Sequence, residues 1–319
     1  MITVNETGDL FVLETQNSIY IIGLLEGMPI HLYWGSKIDP LNLTGFVKNE
    51  HHSSFDRNVL LERAEYPVWD ALTYGLACLQ ADTPLFFRFD SWYVAGENLT
   101  LTLKEERIGH YLLLKYRLLP EYDVIVKQAE LVCGSKALSL KRFLSAAWCT
   151  PFAEGKWKLE YCAGAWGKEF QLRSTIIQEG TFSICSTRGL SGPHFNPAVM
   201  LVSEEGQAYA TLFAWSGSWQ INASKTIFGN YQISAGWNDQ NFNAQLTAGG
   251  RLVTPESYHC FDQRGTAALS RKLHDFQRLV LSSSTSTHHV LYNSWEATCF
   301  DVHASEQMRL ADRARDIGI

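Results

Sequence analysis

Between residue 8 and about residue 260 the chain consists almost entirely of short apolar or alternating runs broken by Gly, Asn, Asp and Pro, and this rhythm restricts what it can fold into. The runs are DLFVLET, SIYIIGLL, IHLYWG, LTLTLK, YLLLKYRLL, DVIVKQAELVC, AYATLFAW and NYQISAGW. A period of two buries one face of a strand, and turn residues recurring at such spacing point to a large antiparallel β-sandwich. In GHYLLLKYRLLPEYDVIVKQAELVC two strands flank PEYD, which reads as a hairpin-like connection. The one stretch with competing helical character is ERAEYPVWDALTYGLACLQ, where Pro67 interrupts the pattern.

From about residue 264 the period changes. In GTAALSRKLHDFQRLVL the residues Leu269, Leu273, Phe276 and Val280 recur at helical intervals and form one stripe. SSSTSTHH follows as a polar linker, then VLYNSW as a short buried strand. SEQMRLADRARDIG reads as a helix with Ser305 as N-cap and Gly318 at its end. A strand and helix after a linker are how a parallel α/β domain begins. The expected organisation is therefore mainly β: a sandwich over 1–263, a helical linker over 264–289, and a first strand and helix over 290–319.

Several classes of function are excluded at this level. The net charge is −6 with a pI near 5.9 and no block of Lys or Arg, so neither nucleic acid nor an anionic membrane surface is an expected partner. No basic-then-apolar leader and no apolar window of about 20 residues is present, which makes a cytoplasmic protein the expectation. Sequons at Asn5, Asn42, Asn98 and Asn222 keep secretion open. The seven cysteines form no CxxC or Cys/His ligand pattern and read as reduced, mostly buried thiols. Adjacent side chains in extended backbone point apart, so the His51/His52 and His288/His289 pairs, in polar loops by sequence, are not expected to hold a metal, and no cofactor fingerprint occurs. No carboxylate pair is recognisable by spacing, so no catalytic residue is assigned. The aromatic content of 13% suits both β-strands and proteins that stack sugar rings; composition does not separate the two.

Specific strings go further. HLYWG (31–35), EYP (65–67), GAWGKE (164–169), STRGLSGPHFNP (186–197), GW followed by F and L (236–246), TPE (254–256) and above all LYNSWEATCFDV (291–302) resemble, in order, the landmarks of the α-galactosidases of glycoside hydrolase family 36. The resemblance implies an N-terminal β-supersandwich, a helical linker and then a (β/α)8 barrel, of which VLYNSW is strand one and ASEQMRLADRARDIG helix one. A complete barrel takes about 250 residues, so the chain is expected to be an N-terminal piece of a longer enzyme. The family's nucleophilic and acid/base aspartates, on later barrel strands, would lie beyond residue 319.

The resemblance also implies roles for residues that are present. Trp295 stands where the family's strand-one tryptophan lines the sugar pocket; the alternative is a core tryptophan. Glu296 and Asp301 follow it, either facing the pocket or acting as structural polar groups. Tetrameric members lend an aspartate from one subunit's N-terminal domain to a neighbour's pocket, and Asp56 in FDRN is the candidate here, with a solvated acid as the alternative. The chain departs from the family after EYP, with Asp70 and Thr73-Tyr74-Gly75 in place of a Gly and an Asp-Phe-Arg run. STRGLSGPHFNP reads as a fixed turn held by His194 and Asn196, and Trp166 as capping the barrel mouth or filling the sandwich. Galactoside sugars and a homo-tetrameric assembly are the implied partners, terminal α-1,6-galactosides such as melibiose and raffinose-type oligosaccharides the implied substrates. The piece alone would be inactive. A stand-alone carbohydrate-binding or oligomerisation sandwich is the competing reading.

Overall fold

A computed structural model of the chain describes residues 1–40, 63–70, 75–150, 155–226, 229–281 and 290–319. These form two compact units, Met1–Phe276 and Gln277–Ile319.

The described residues of the first unit form three antiparallel sheets. Ile2–Val4, Leu10–Glu14, Ser18–Leu25 and Met28–Ser36 pair in sequence order as a four-stranded sheet. A second sheet is ordered Gly180–Ser186, Trp219–Lys225, Tyr231–Trp237, Leu138–Thr150, Ala244–Leu246, with Leu79–Ala81 also on the long strand. The third and largest runs Lys168–Ile176, Lys158–Ala165, Phe195–Val202, Ala208–Phe213, Ser257–Asp262, Val124–Val132, His110–Leu119, Asn98–Glu105, Phe87–Ala95, and Arg251–Val253 adds to Val124–Val132.

Local sequence explains much of this. In Asn98–Glu105 and His110–Leu119 burial alternates residue by residue, with Leu99, Leu101, Leu103, Leu112, Leu114, Tyr116 and Leu118 inside. PEYD closes the next hairpin: Pro120–Tyr122 is a single 3-10 turn, and Asp123 adopts a left-handed conformation at φ +53° before the chain returns in strict register. The alternation fails in Leu138–Thr150, where residues 143–150 are all buried. The reason is contact on both faces: the Cys149 backbone N–H donates to His31 Nδ1 of the four-stranded sheet at 3.1 Å.

The helix Thr266–Phe276 packs on the outer face of the large sheet. Leu269, Leu273 and Phe276 are buried there with Val124, Val126, Val202, Ala210 and Tyr258. After Phe276 the helix widens into a π-type turn, Gln277–Leu281, and Val280 leaves the stripe at 38% exposure. A buried ion cluster anchors the helix. Lys272 Nζ lies 2.6 Å from Asp123 and 3.0 Å from Asp262, and Asp123 also accepts bonds from Thr15 and from Asn17.

Burial pushes both carboxyls up, but for Asp123 the bonds from Lys272, Asn17 and Thr15, and for Asp262 those from Arg264 and Lys272, outweigh it and hold both below the usual range. A depressed folded-state pKa contributes stability that is complete above the ordinary carboxylate range near about 4 and is lost as pH falls through the folded values. Asp262→Asn is therefore expected to lower the urea midpoint at pH 7 and to narrow the difference between the midpoints at pH 7 and pH 3. An unchanged difference would remove the cluster from the acid response.

All seven cysteines are free, and four of them, Cys78, Cys133, Cys149 and Cys260, are buried. Among the sequons, Asn222 is 3% exposed and bonded to Ser183 and Ser234, which closes it to glycosylation of the folded chain. No helix among the described residues is long and apolar enough to cross a membrane.

In the second unit, Ala304–Asp316 is helical as the pattern implies, and Gly318 follows it at φ +85°. The N-cap is His303 rather than Ser305, without a side-chain cap bond. Residues 290–294, read from sequence as a strand, carry no regular structure, and a helical turn follows at Trp295–Thr298. A strand exists by pairing its backbone with a neighbour, and among the described residues none pairs with this segment.

Candidate functional site

Trp295 opens the short helical turn, and its backbone N–H donates to Asn293 Oδ1 at 2.8 Å. Its indole stands edge-on to Phe300, with ring centroids 4.9 Å apart, and is 50% exposed. The turn is closed by Thr298 Oγ1 donating to the Ser294 carbonyl and by Cys299, whose φ of +50° swings the chain away. Glu296, the next residue, is exposed, and Asp301 lies 2.8 Å from His303 Nε2 as a surface pair. Trp295 is thus an exposed aromatic rather than a core residue within its unit, and Phe300 is the partner that sequence reading passed over. A spacing of five residues carried no signal for that contact.

Trp166 sits elsewhere in the chain, at the tip of the hairpin Lys158–Ala165/Lys168–Ile176. Ala165 and Lys168 are register partners, so Trp166-Gly167 forms a two-residue turn, with Gly167 at φ +74°. The indole is 91% exposed. It does not fill the sandwich, because a residue at the tip of an edge hairpin has no sheet above it. Asp56 lies outside the described residues. Asp70 is buried, while residues 71–74 also lie outside the described residues.

The loop of STRGLSGPHFNP is held differently from the sequence reading. Ser186 Oγ donates to the Leu190 carbonyl at 2.5 Å, Gly189 N–H donates to Ser218 Oγ, and Trp219 Nε1 donates to Ser191 Oγ at 2.8 Å. His194 takes part through its backbone carbonyl, which accepts from Gly164 N–H. Serine hydroxyls do this work because they donate and accept within a tight loop.

EYP has a structural role in the core. Glu65 is 2% exposed and receives Lys127 Nζ at 2.8 Å, Tyr20 OH at 2.7 Å and Tyr116 OH at 2.9 Å. Lys127 Nζ also reaches the Ala147 carbonyl at 3.0 Å and lies 4.1 Å from the Tyr20 ring centroid. Burial pushes the Lys127 ammonium down and Glu65 draws it partly back, while burial raises both tyrosines well above their usual value. Among the described residues no group of three or more His, Cys, Asp or Glu is arranged to hold a metal ion.

These strings and folds have counterparts in known proteins. The glycosyl hydrolase family 36 N-terminal domain matches residues 27–247, well over half of the chain. The chain belongs to glycoside hydrolase family 36. The melibiase family matches residues 252–319 directly after it. Similar relatives include the bifunctional alpha-galactosidase/sucrose kinase AgaSK of Mediterraneibacter gnavus, 27% identical over 99% of this chain and 38% of that protein. Alpha-galactosidase AgaA of Geobacillus stearothermophilus is 28% identical over 70% of this chain and 32% of that protein. The solved galactosidase domain of AgaSK superposes with a TM-score of 0.88 at 26% identity, over 100% of this chain and 50% of that one. A variant of AgaA solved in complex with raffinose has the same fold, with a TM-score of 0.87 at 24% identity over 97% of this chain and 49% of that one. The chain thus spans half or less of the length of these family 36 relatives.

Proposed function

We propose that the chain supplies the N-terminal sandwich and the opening βα segment of a retaining α-galactosidase acting on terminal α-1,6-galactosides of the melibiose and raffinose type. One observation carries this reading: the two family matches follow one another in the order of such an enzyme, 27–247 and then 252–319. The boundaries near 263 and 289 are the corresponding proposal for its domains, and a homo-tetramer, with Asp56 reaching a neighbour's pocket, for its assembly. Retention takes two carboxylates about 5–5.5 Å apart on either side of the anomeric carbon. In this reading both lie beyond residue 319, and the chain's own contribution is to binding.

Within that contribution Trp295 supplies an apolar face for the C–H surface of galactose, and Glu296 beside it an acceptor for a sugar hydroxyl. Trp166, already outside the sandwich, covers the mouth of a pocket. The purified 319-residue chain is expected to hydrolyse an aryl α-galactoside no faster than buffer at any pH, because general acid/base assistance alone contributes about 10²–10⁴-fold. Turnover that co-purified with the chain would overturn the reading.

In an enzyme completed with a family 36 barrel, Trp295→Ala is expected to lower kcat/KM by about five- to 150-fold, the equivalent of roughly 1–3 kcal/mol of stacking. The melting temperature should hold. Normal kinetics with a large loss of thermal stability would make Trp295 a packing residue.

A further inference from the structure

At one end of the sandwich two turns are tied into a single surface. Asn238 N–H donates to the Ser218 carbonyl at 3.3 Å, Asn238 Nδ2 donates to the Trp219 carbonyl, and Gln240 N–H donates to Asn238 Oδ1 at 2.9 Å. Trp215, 42% exposed, stands on the first turn, edge-on to Trp237, the last residue of the strand that leads into the second, with centroids 6.0 Å apart. Trp237 in turn stacks on Phe242 at 5.8 Å and meets Phe143 of the core at 6.4 Å. The Trp215 indole is fixed from below as well: a Cβ on residue 217 would fall 2.4 Å from its Nε1, so only glycine allows the ring to lie against that backbone.

The rim of this corner is polar. Ser216, Gln240 and Asn241 are exposed around it, and Leu190 on the adjoining loop adds one exposed aliphatic side chain. Asp239 is bonded by Arg142 Nε at 2.7 Å and by Arg142 Nη2, both on Oδ2, which leaves Oδ1 to accept from a ligand. A rigid aromatic face bordered by an amide and a half-free carboxylate matches the chemistry of a pyranose ring. Such a ring has a C–H patch on one face and hydroxyls around its edge, and specificity comes from a few placed polar groups.

We propose that the Trp215–Trp237 corner is a sugar-binding site of the sandwich itself, stacking one pyranose ring of an oligosaccharide on Trp215 with Gln240 and Asp239 Oδ1 taking its hydroxyls. The site lies wholly within the first unit and depends neither on the hydrolase reading nor on Trp295.

The test is a titration of the 319-residue chain with raffinose and, separately, maltotriose, followed by saturation-transfer NMR and tryptophan fluorescence. At least one sugar is expected to bind with a millimolar Kd. Trp215→Ala should weaken it by about tenfold or more, as loss of a ring stack does, and Gln240→Ala severalfold, both with unchanged urea midpoints. Maltotriose carries no galactose, so its binding reads this corner apart from the residues proposed for the galactoside pocket. Absence of binding by either sugar at tens of millimolar, or binding that survives Trp215→Ala, would overturn the proposal.

Discussion

Lys127→Met is expected to destabilise the sandwich by about 3–5 kcal/mol, because it leaves the Glu65 carboxylate buried and without its counter-charge. Lys127 and Glu65 are 3% and 2% exposed, so bulk water does not screen the charge that remains. The two tyrosine hydroxyls would still donate to Glu65, yet neutral donors do not offset a full charge taken out of water. Glu65→Leu combined with Lys127→Met removes the charges together and should cost less than the Lys127 change alone, although Tyr20 and Tyr116 then lose an acceptor. Urea unfolding of the two variants measures both numbers. A single-variant cost under about 1 kcal/mol, or a double variant worse than the single, would show that the pair is not the electrostatic unit described.

Phe276→Ala is expected to cost about 3–5 kcal/mol, the range for emptying a buried aromatic site. Phe276 is 1% exposed and packs against Tyr258 at 5.2 Å and Tyr122 at 6.2 Å, closing the end of the helix over the outer face of the large sheet. Val280, one step further along the same sequence stripe, is 38% exposed, and Val280→Ala should change stability by less than about 0.5 kcal/mol. The contrast is the measurement: equal urea midpoints for the two variants would mean that the helix does not hold the sheet through Phe276.

The helical stripe shows how far local pattern reaches. Leu269, Leu273 and Phe276 were legible because a helix brings residues three and four apart onto one face whatever lies opposite. Val280 was not excluded from that stripe by anything local; the wider turn after Phe276 moved it. In the same way the alternation of Leu99 through Leu118 predicts strands and their inner face, and PEYD predicts a reversal, since both follow from backbone geometry within a few residues. The string LYNSWEATCFDV marked the family and Trp295, but its strand could not be read from itself, because a strand needs a neighbour.

What joins distant parts of the chain escaped sequence reading altogether. Glu65 meets Lys127 across 62 residues and Tyr20 across 45, and Trp215 meets Trp237 because antiparallel pairing sets Trp219 opposite Trp237. Residues 143–150 lose their alternation because a third sheet covers the face that a two-layer sandwich would leave to water. Sequence by itself determined the strands of alternating burial, the reversal at PEYD, the helix that buries Leu269, Leu273 and Phe276, and the family, all properties of consecutive residues. Sheet order, the buried charge pair and the exposure of Trp166 and Trp215 were decided by tertiary structure, because desolvation and side-chain contact depend on which surfaces meet in space.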